Sequence, residues 1–407
     1  MQHRDPTQSL STSMIQREPP QTDWKPSRRH FVLSLVGTAG ASGASSAFPG
    51  YQTKVRVLDP TSNLRVGMVG TAGHTGLILD ALTEIPGAWL AAYAFKDAKG
   101  LPADAANMGY VDGYSADVGW VKTHKQFRGE TKIYETYQEM FSKEKLDVVG
   151  ICLPYFMNAD ACIAAAVHGV HIMSEKPMAT ELEQLERLRR SVDQGGVCIS
   201  ALLEMRLSPG IRTVRAAIAE GAIGEPVMAT AQKSYKFGEA RPWFYKSRTT
   251  FGGTIPWIGI HAIDFVLYAT GLKVNKIAAF HGNKAHRDYP GVEDEAGILL
   301  SLSNGGSAVV TLDYLRPETA PSHGDDRLRV VGSKGVLEMR GGLVELMTSD
   351  APPHQLQLLP QRSIFGDFVR FLRGLGPAVI SQAELFDVHR ICLLARQAAD
   401  EKRIIAI

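Results

Sequence analysis

Charge of one sign is what this 407-residue chain lacks most clearly: 44 lysines and arginines stand against 42 aspartates and glutamates, a formal net charge of +2. That balance provides neither a basic stripe for a nucleic-acid backbone nor an acidic tail, so small-molecule chemistry is favoured. Cysteine is scarce too. Cys152, Cys162, Cys198 and Cys392 stand singly inside apolar runs, without the close pairing of a zinc or redox motif, and are expected to be buried thiols with no metal site. No stable membrane span is expected either, because the apolar stretch after Arg29 is short and glycine-rich. What is present is bulk: 44% of the side chains are hydrophobic, and a chain this long fills two cores of ordinary size, domains holding on the order of 100–200 residues each.

The N-terminal part differs from the rest. Met1–Lys25 is polar, mixed in charge and without a period of 2 or 3.6, the composition of a disordered segment. Then come Ser27-Arg28-Arg29-His30-Phe31-Val32-Leu33 and an apolar stretch ending in small residues over Gly40–Ala47. Two arginines, an apolar segment and a small-residue exit at Ser45-Ser46-Ala47 form the pattern of a twin-arginine export signal. Residues 1–47 are therefore read as leader and signal, and 48–63 as an arm of the mature protein. The expected location is the periplasm or beyond, or the cytoplasm if the signal does not function.

From Leu64 strands and helices alternate. Leu64–Val69 is a buried strand, and Gly70-Thr71-Ala72-Gly73-His74-Thr75-Gly76 turns it into a helix over Leu77–Glu84. Glycines at such a turn let backbone amides approach a pyrophosphate at the positive end of a helix, so Gly70, Ala72, Gly73, His74, Thr75 and Gly76 are candidate cofactor contacts. The GxxGxxG spacing is one residue longer than the strict dinucleotide fingerprint, and an empty strand–helix turn is the competing reading. The second strand, Ala88–Phe95, ends in Lys96-Asp97. An acid there suits the ribose of NAD and a lysine the extra phosphate of NADP, so the pair points both ways, with a slight lean to NAD. Gly100–Gly129 is a long polar insertion. Helix Thr136–Lys145, strand Leu146–Leu153, helix Asn158–His168, strand Val170–Met173, helix Thr180–Ser191 and strand Val197–Leu202 complete a doubly wound nucleotide-binding domain over 64–205.

The strand Val170–Met173 runs into Ser174-Glu175-Lys176-Pro177. In open α/β sheets ligands bind beyond the carboxyl ends of the strands, so Lys176 can reach a small molecule there; a solvated Glu-Lys pair is the bland alternative. After a helix over Ser208–Glu220 the pattern changes to strands: Pro226–Tyr235, Lys273–His281, Glu293–Leu302, Ser307–Leu315, Leu328–Val331 and Val336–Met339. Residues 206–407 thus read as an α+β domain with an open, mostly antiparallel sheet and a last helix, 384–401, packing back on the body. Within it a glycine loop opens a helix that presents His261, an imidazole able to exchange protons near neutral pH or else a core histidine bonded to a carbonyl.

Taken together, the motifs resemble the glucose-fructose oxidoreductase/inositol dehydrogenase (Gfo/Idh/MocA) family over about Leu64–Ile407. The carrying pieces are GTAGHTG, Glu175–Pro177 (EKP), Met205–Pro209 (MRLSP), Gly252–Asp264 (GGTIPWIGIHAID) and Val292–Gly306 (VEDEAGILLSLSNGG). The resemblance implies a Rossmann domain joined to an open-sheet domain, a nicotinamide cofactor (NAD or NADP) and a sugar, polyol or glycoside substrate. It implies Lys176, before a proline that is often cis, as catalytic lysine and His261 as acid–base histidine, with Pro154, Glu175 and Lys176 beside the cofactor. It also implies a homodimer or homotetramer formed by pairing open sheets. Two positions depart from the family pattern: Trp257 stands where relatives commonly carry an aspartate four residues before the histidine, and Pro154-Tyr155-Phe156-Met157-Asn158 lacks the histidine that often follows the proline.

Loss of that aspartate leaves Lys176, His261 and either Tyr155 or Asn158 to handle the proton. Trp257, Trp243, Phe244 and Tyr245 could stack on a sugar face or simply pack. Arg206 joins the candidate substrate contacts, and Lys246 and Arg248 could bind a carboxylate or ring hydroxyl or stay solvated. Three readings follow. One is a hydride-transferring oxidoreductase whose cofactor is loaded before export and retained; the second is a redox-neutral glycosidase or lyase that oxidises, eliminates and re-reduces. The third is a cofactor-binding protein without catalysis.

Overall fold

A computed structural model of the chain describes residues 56–94, 122–239 and 241–407. The export signal, half of the 48–63 arm, Lys96, Asp97 and most of the 100–129 insertion lie outside the described residues.

Strands β1 (Leu64–Val69), β2 (Ala88–Ala94), β3 (Lys132–Tyr134), β4 (Val148–Ile151), β5 (His171–Ser174) and β6 (Ile199–Ala201) form a parallel sheet. Their order is β3-β2-β1-β4-β5-β6. β4, β5 and β6 are buried at every residue, as strands covered by helices on both faces must be. That is why they appear in the sequence as unbroken apolar runs rather than alternating ones. The helix over Tyr137–Lys143 begins where the Thr136 hydroxyl accepts from the Glu139 amide. Helix Leu182–Gly195 stops at Gly196 in the left-handed conformation. The expected helix after the glycine turn is shorter than its pattern: Gly76–Leu79 is α-helical, and a 3₁₀ turn, Ala81–Thr83, takes over. All four cysteines are buried free thiols.

Among the described residues the second sheet has nine strands. They are β7 (Pro226–Tyr235), β8 (Val274–Gly282), β9 (Glu295–Leu302), β10 (Ser307–Asp313), β11 (Gly324–Gly332), β12 (Gly335–Arg340), β13 (Leu343–Thr348), β14 (His354–Gln355) and β15 (Ile405–Ala406). The order is β14-β13-β12-β11-β7-β10-β9-β8-β15, antiparallel except where β10 runs parallel to β7. β9 and β10 alternate buried and exposed residues, so one face is covered and the other leaves Phe280, Leu299 and Val309 to solvent. Helix Ile260–Thr270 packs on the covered face, in contact with β7, β10 and β11.

Arg248–Thr270 is, among the described residues, the helical run long and apolar enough to cross a membrane, and 94% of its apolar window is buried inside the protein. A further helix, Ile364–Leu372, has no counterpart in the sequence reading. Its Ile364, Phe365 and Phe368 share a core with Leu64, Met68 and Ile78 under the first sheet. The second half of the chain therefore returns to seal the first.

Candidate active site

The glycine turn sits between β1 and β4, where the strand order reverses and a crevice opens at the carboxyl ends. Gly70 and Gly73 have φ of 69° and 76°, left-handed values that a side chain resists. A Cβ on Gly73 would also fall 2.7 Å from the Glu175 carboxyl carbon. Glu175 is fully buried and ties the turn to β5: its carboxylate accepts from the His74 amide at 3.3 Å and pairs with His74 Nδ1 at 2.9 Å. Burial alone would lower the His74 imidazole, but the Glu175 carboxylate outweighs it and raises the pKa. The Ala72 amide donates to Cys152 O. The amides of Gly73, Thr75 and Gly76 make no hydrogen bond among the described residues, which leaves three donors at the crevice for a pyrophosphate. The turn fits the dinucleotide cofactor that the sequence suggested.

Asn158 holds the next part of the crevice. In the first turn of helix Tyr155–Val167, which Pro154 precedes, it accepts from the Leu153 amide at 3.1 Å and donates to Pro177 O at 3.1 Å. Its side chain thus staples the end of β4 to the Glu175–Pro177 loop. The Lys176–Pro177 peptide is cis. Lys176 is 1% exposed, and its ammonium donates to Trp257 O at 3.1 Å while standing 3.8 Å from the Trp257 ring centre. Burial lowers its pKa, against the pull of Glu175 and Glu204.

Trp257 belongs to a single π-helical turn, Ile255–Gly259, that feeds helix Ile260–Thr270; such turns interrupt the regular ladder and are frequent at functional sites. His261, in the next turn, is 2% exposed. Burial, then the charges of Lys176 and Lys233, push its pKa well below the ordinary histidine value. The imidazole is therefore neutral at physiological pH, and the charges of both lysines reach it. Tyr155 is also buried, its hydroxyl 3.0 Å from that of Tyr245 and its ring 5.8 Å from that of Trp257. Burial raises its pKa well above the ordinary tyrosine value.

Other candidates have different neighbours. Arg206 bonds Asp264 through both Nε and Nη2, at 3.1 and 2.6 Å, and donates to Val379 O; these contacts tie helix Ile260–Thr270 to the body. Arg248 pairs with Glu293 and, at 2.7 Å, with Asp400. Trp243 is partly buried and meets Phe156 edge to face at 6.4 Å.

Two residues that the sequence reading missed stand at the centre. Lys233 on β7 is wholly buried, 2.8 Å from Asp326 Oδ1 on β11. The two are direct cross-strand partners, a favourable arrangement for opposite charges. Burial lowers the Lys233 ammonium to about 8. Its signal was there to read: in Ala229-Thr230-Ala231-Gln232-Lys233 the lysine falls on the buried phase of an alternating strand. Glu204, just beyond β6, carries a buried carboxylate oxygen, Oε2, without a hydrogen-bond partner among the described residues, and its charge reaches Lys176, Lys233 and His74. Nothing local in the sequence marks it.

A parallel sheet of this order with a glycine turn at its switch point defines a dinucleotide-binding half. Residues 102–202 match the model of the oxidoreductase family with NAD-binding Rossmann fold, and residues 211–338 that of the GFO/IDH/MocA C-terminal domain. The chain belongs to the Gfo/Idh/MocA family of oxidoreductases. It is similar to a solved structure from Thermotoga maritima assigned as an oxidoreductase, with 32% identity, TM-score 0.76 and coverage of 84% of this chain and 100% of that one. The scyllo-inositol 2-dehydrogenase (NADP(+)) of Bacillus subtilis is 23% identical over 313 residues, 68% of this chain and 84% of that protein. The 2,7-anhydro-N-acetylneuraminate hydratase of Mediterraneibacter gnavus is 22% identical over 201 residues, 49% of this chain, and the match spans about half (53%) of that relative.

Proposed function

We propose that the protein transfers hydride between a sugar, polyol or glycoside and a nicotinamide dinucleotide held at the glycine turn. The observation that carries this reading is the placement of Lys176: a buried amine of lowered pKa, at the carboxyl end of β5, beside a neutral His261. Gly70, Ala72, Gly73, His74, Thr75 and Gly76 would hold the pyrophosphate, with Pro154 and Glu175 behind it. When bound, the nicotinamide supplies the hydride acceptor or donor. Lys176, in its neutral form, takes the proton of the substrate hydroxyl, and His261 has a free nitrogen lone pair for the same proton or a neighbouring one. The low dielectric around them strengthens each of these contacts. Glu204 offers its unpartnered oxygen to another hydroxyl of a polyol, and the Trp257 ring bounds the crevice on the side of Lys176.

Relatives carrying the two cofactor forms leave NAD against NADP to experiment, with NAD slightly preferred. The redox-neutral reading is kept because one relative is an anhydro-sugar hydratase. Export through Arg28-Arg29, retention of the cofactor through turnover and a homodimer or homotetramer built on the exposed face of the second sheet belong to the same proposal. Heat-denaturing the purified protein and taking the spectrum and mass of what is released tests cofactor retention and identity. Incubation with a sugar panel then separates net oxidation from cleavage with unchanged cofactor. Release of no dinucleotide, together with no added dinucleotide bound, would overturn the reading.

A further inference from the structure

Away from the lysine–histidine crevice, a cleft of about 520 Å³ opens between helix Pro209–Ala219, helix Ile364–Leu372 and the segment leading to helix Gln382–Glu401. Four arginines line it: Arg212, Arg215, Arg362 and Arg370. Among the described residues its carboxylates are two. Asp367 is paired with Arg362, and Glu384 is held by the Ser381 amide and hydroxyl in a capping box, 3.8 Å from Arg206. Arg212, Arg215 and Arg370 form no ion pair among the described residues.

Each of those three guanidiniums nonetheless has a main-chain acceptor. Arg212 donates to Pro360 O, Arg215 to Tyr268 O and Arg370 to Leu375 O. Arg215 and Arg206 each stand 4.5 Å from the Tyr268 ring centre. Arg212 and Arg215 are three residues apart on one helix, neighbours on its surface, where like charges repel. A cavity that anchors several cations by main-chain carbonyls and supplies too few carboxylates is built for an anion from outside. Planar guanidinium forks match the oxygens of phosphate and carboxylate in pairs, and the volume falls in the range of small-molecule sites.

We propose that this cleft is a second binding site, for a small organic molecule carrying two or more negative oxyanion charges, a phosphate ester or a polycarboxylate. The site is separate from the glycine turn and does not depend on the proposed reaction. Its walls do touch the frame of the active site, since Val379 and Glu384 both contact Arg206, which holds Asp264 on the His261 helix.

The test is calorimetric titration of the full chain, saturated with NADH, using pyrophosphate and citrate at constant ionic strength, with acetate as monovalent control. One saturable site for pyrophosphate or citrate is expected, at least tenfold weaker in the double variant Arg212→Gln/Arg370→Gln and absent for acetate. Preference between the two probes distinguishes phosphate from carboxylate ligands. Absence of saturable binding in the natural protein, where the folding of a variant is not in question, would overturn the proposal. So would binding that the double variant leaves unchanged, which would place the anion at the glycine turn or nowhere specific.

Discussion

The ammonium nitrogen of Lys176 lies 3.1 Å from the carbonyl oxygen of Trp257 and 3.8 Å from the centre of the same residue's indole ring. The two residues are 81 positions apart in the chain. One aromatic residue thus supplies both a hydrogen-bond acceptor and a π face to a buried cation. A π face stabilises a desolvated cation by about 2 kcal/mol, less than a close carboxylate would, so the lysine sheds its proton more readily.

Trp257→Leu keeps the carbonyl and removes the ring. Losing a stabiliser of the charged form lowers the Lys176 pKa further, by about one unit for each 1.4 kcal/mol. The rising limb of kcat/KM against pH is expected to move down by about one unit in the oxidation direction. An upward shift would show that the ring does not face the working amine.

Lys176→Met should cost about 10²–10⁴-fold in kcat, the span of a positioned acid–base group. A loss under tenfold would remove Lys176 from the chemistry. His261 is already neutral above its depressed pKa, so the natural enzyme should show no activity inflection near pH 6.5.

Lys233 makes a stability prediction with a definite sign. Its folded-state pKa of about 8 lies below the ordinary 10.5, so between those values the unfolded chain binds the extra proton. Folding stability then rises with pH across that window, and the penalty for the buried ammonium is fully present below pH 8. Compared with Lys233→Met by urea denaturation, the natural protein should gain on the order of 3 kcal/mol between pH 8 and 10.5. A difference that stays flat, or falls, would contradict the burial of this charge.

Gly73→Ala places a side chain on a left-handed backbone and against the Glu175 carboxyl. The left-handed conformation alone costs about 1–2 kcal/mol. NADH affinity, followed by fluorescence titration, should fall about tenfold or more while the rest of the fold persists.

Phe280 and Leu299 are 71% and 51% exposed on the open face of the second sheet. Replacing both with lysine should convert the expected dimer or tetramer to monomer, read by light scattering. A natural chain that is monomeric at micromolar concentration would dispose of sheet-to-sheet pairing.

Much of the architecture was legible because it rests on short-range rules. β1 and β7 occupy the spans that their apolar patterns predict, since a buried parallel strand and a half-buried strand leave different periods. Glycines at 70 and 73 marked a turn, and the backbone there proves left-handed. Ile364–Leu372 escaped because its helix is short and its partners, Leu64 and Ile78, lie about three hundred residues away. β14 and β15, two residues each, are too short to carry any period.

Sequence by itself determined most of the strands and helices, where the crevice opens and that Lys176 follows a strand at its edge. Each of these follows from the spacing of apolar, glycine and proline residues within a few positions of one another. Tertiary structure alone decided the company those residues keep: Trp257 for Lys176, Asp326 for Lys233, Asp264 for Arg206, and, among the described residues, no partner for one oxygen of Glu204. Such pairings depend on strand register and on which helix face meets which sheet. They are settled by the packing of the whole core, and no local pattern records them.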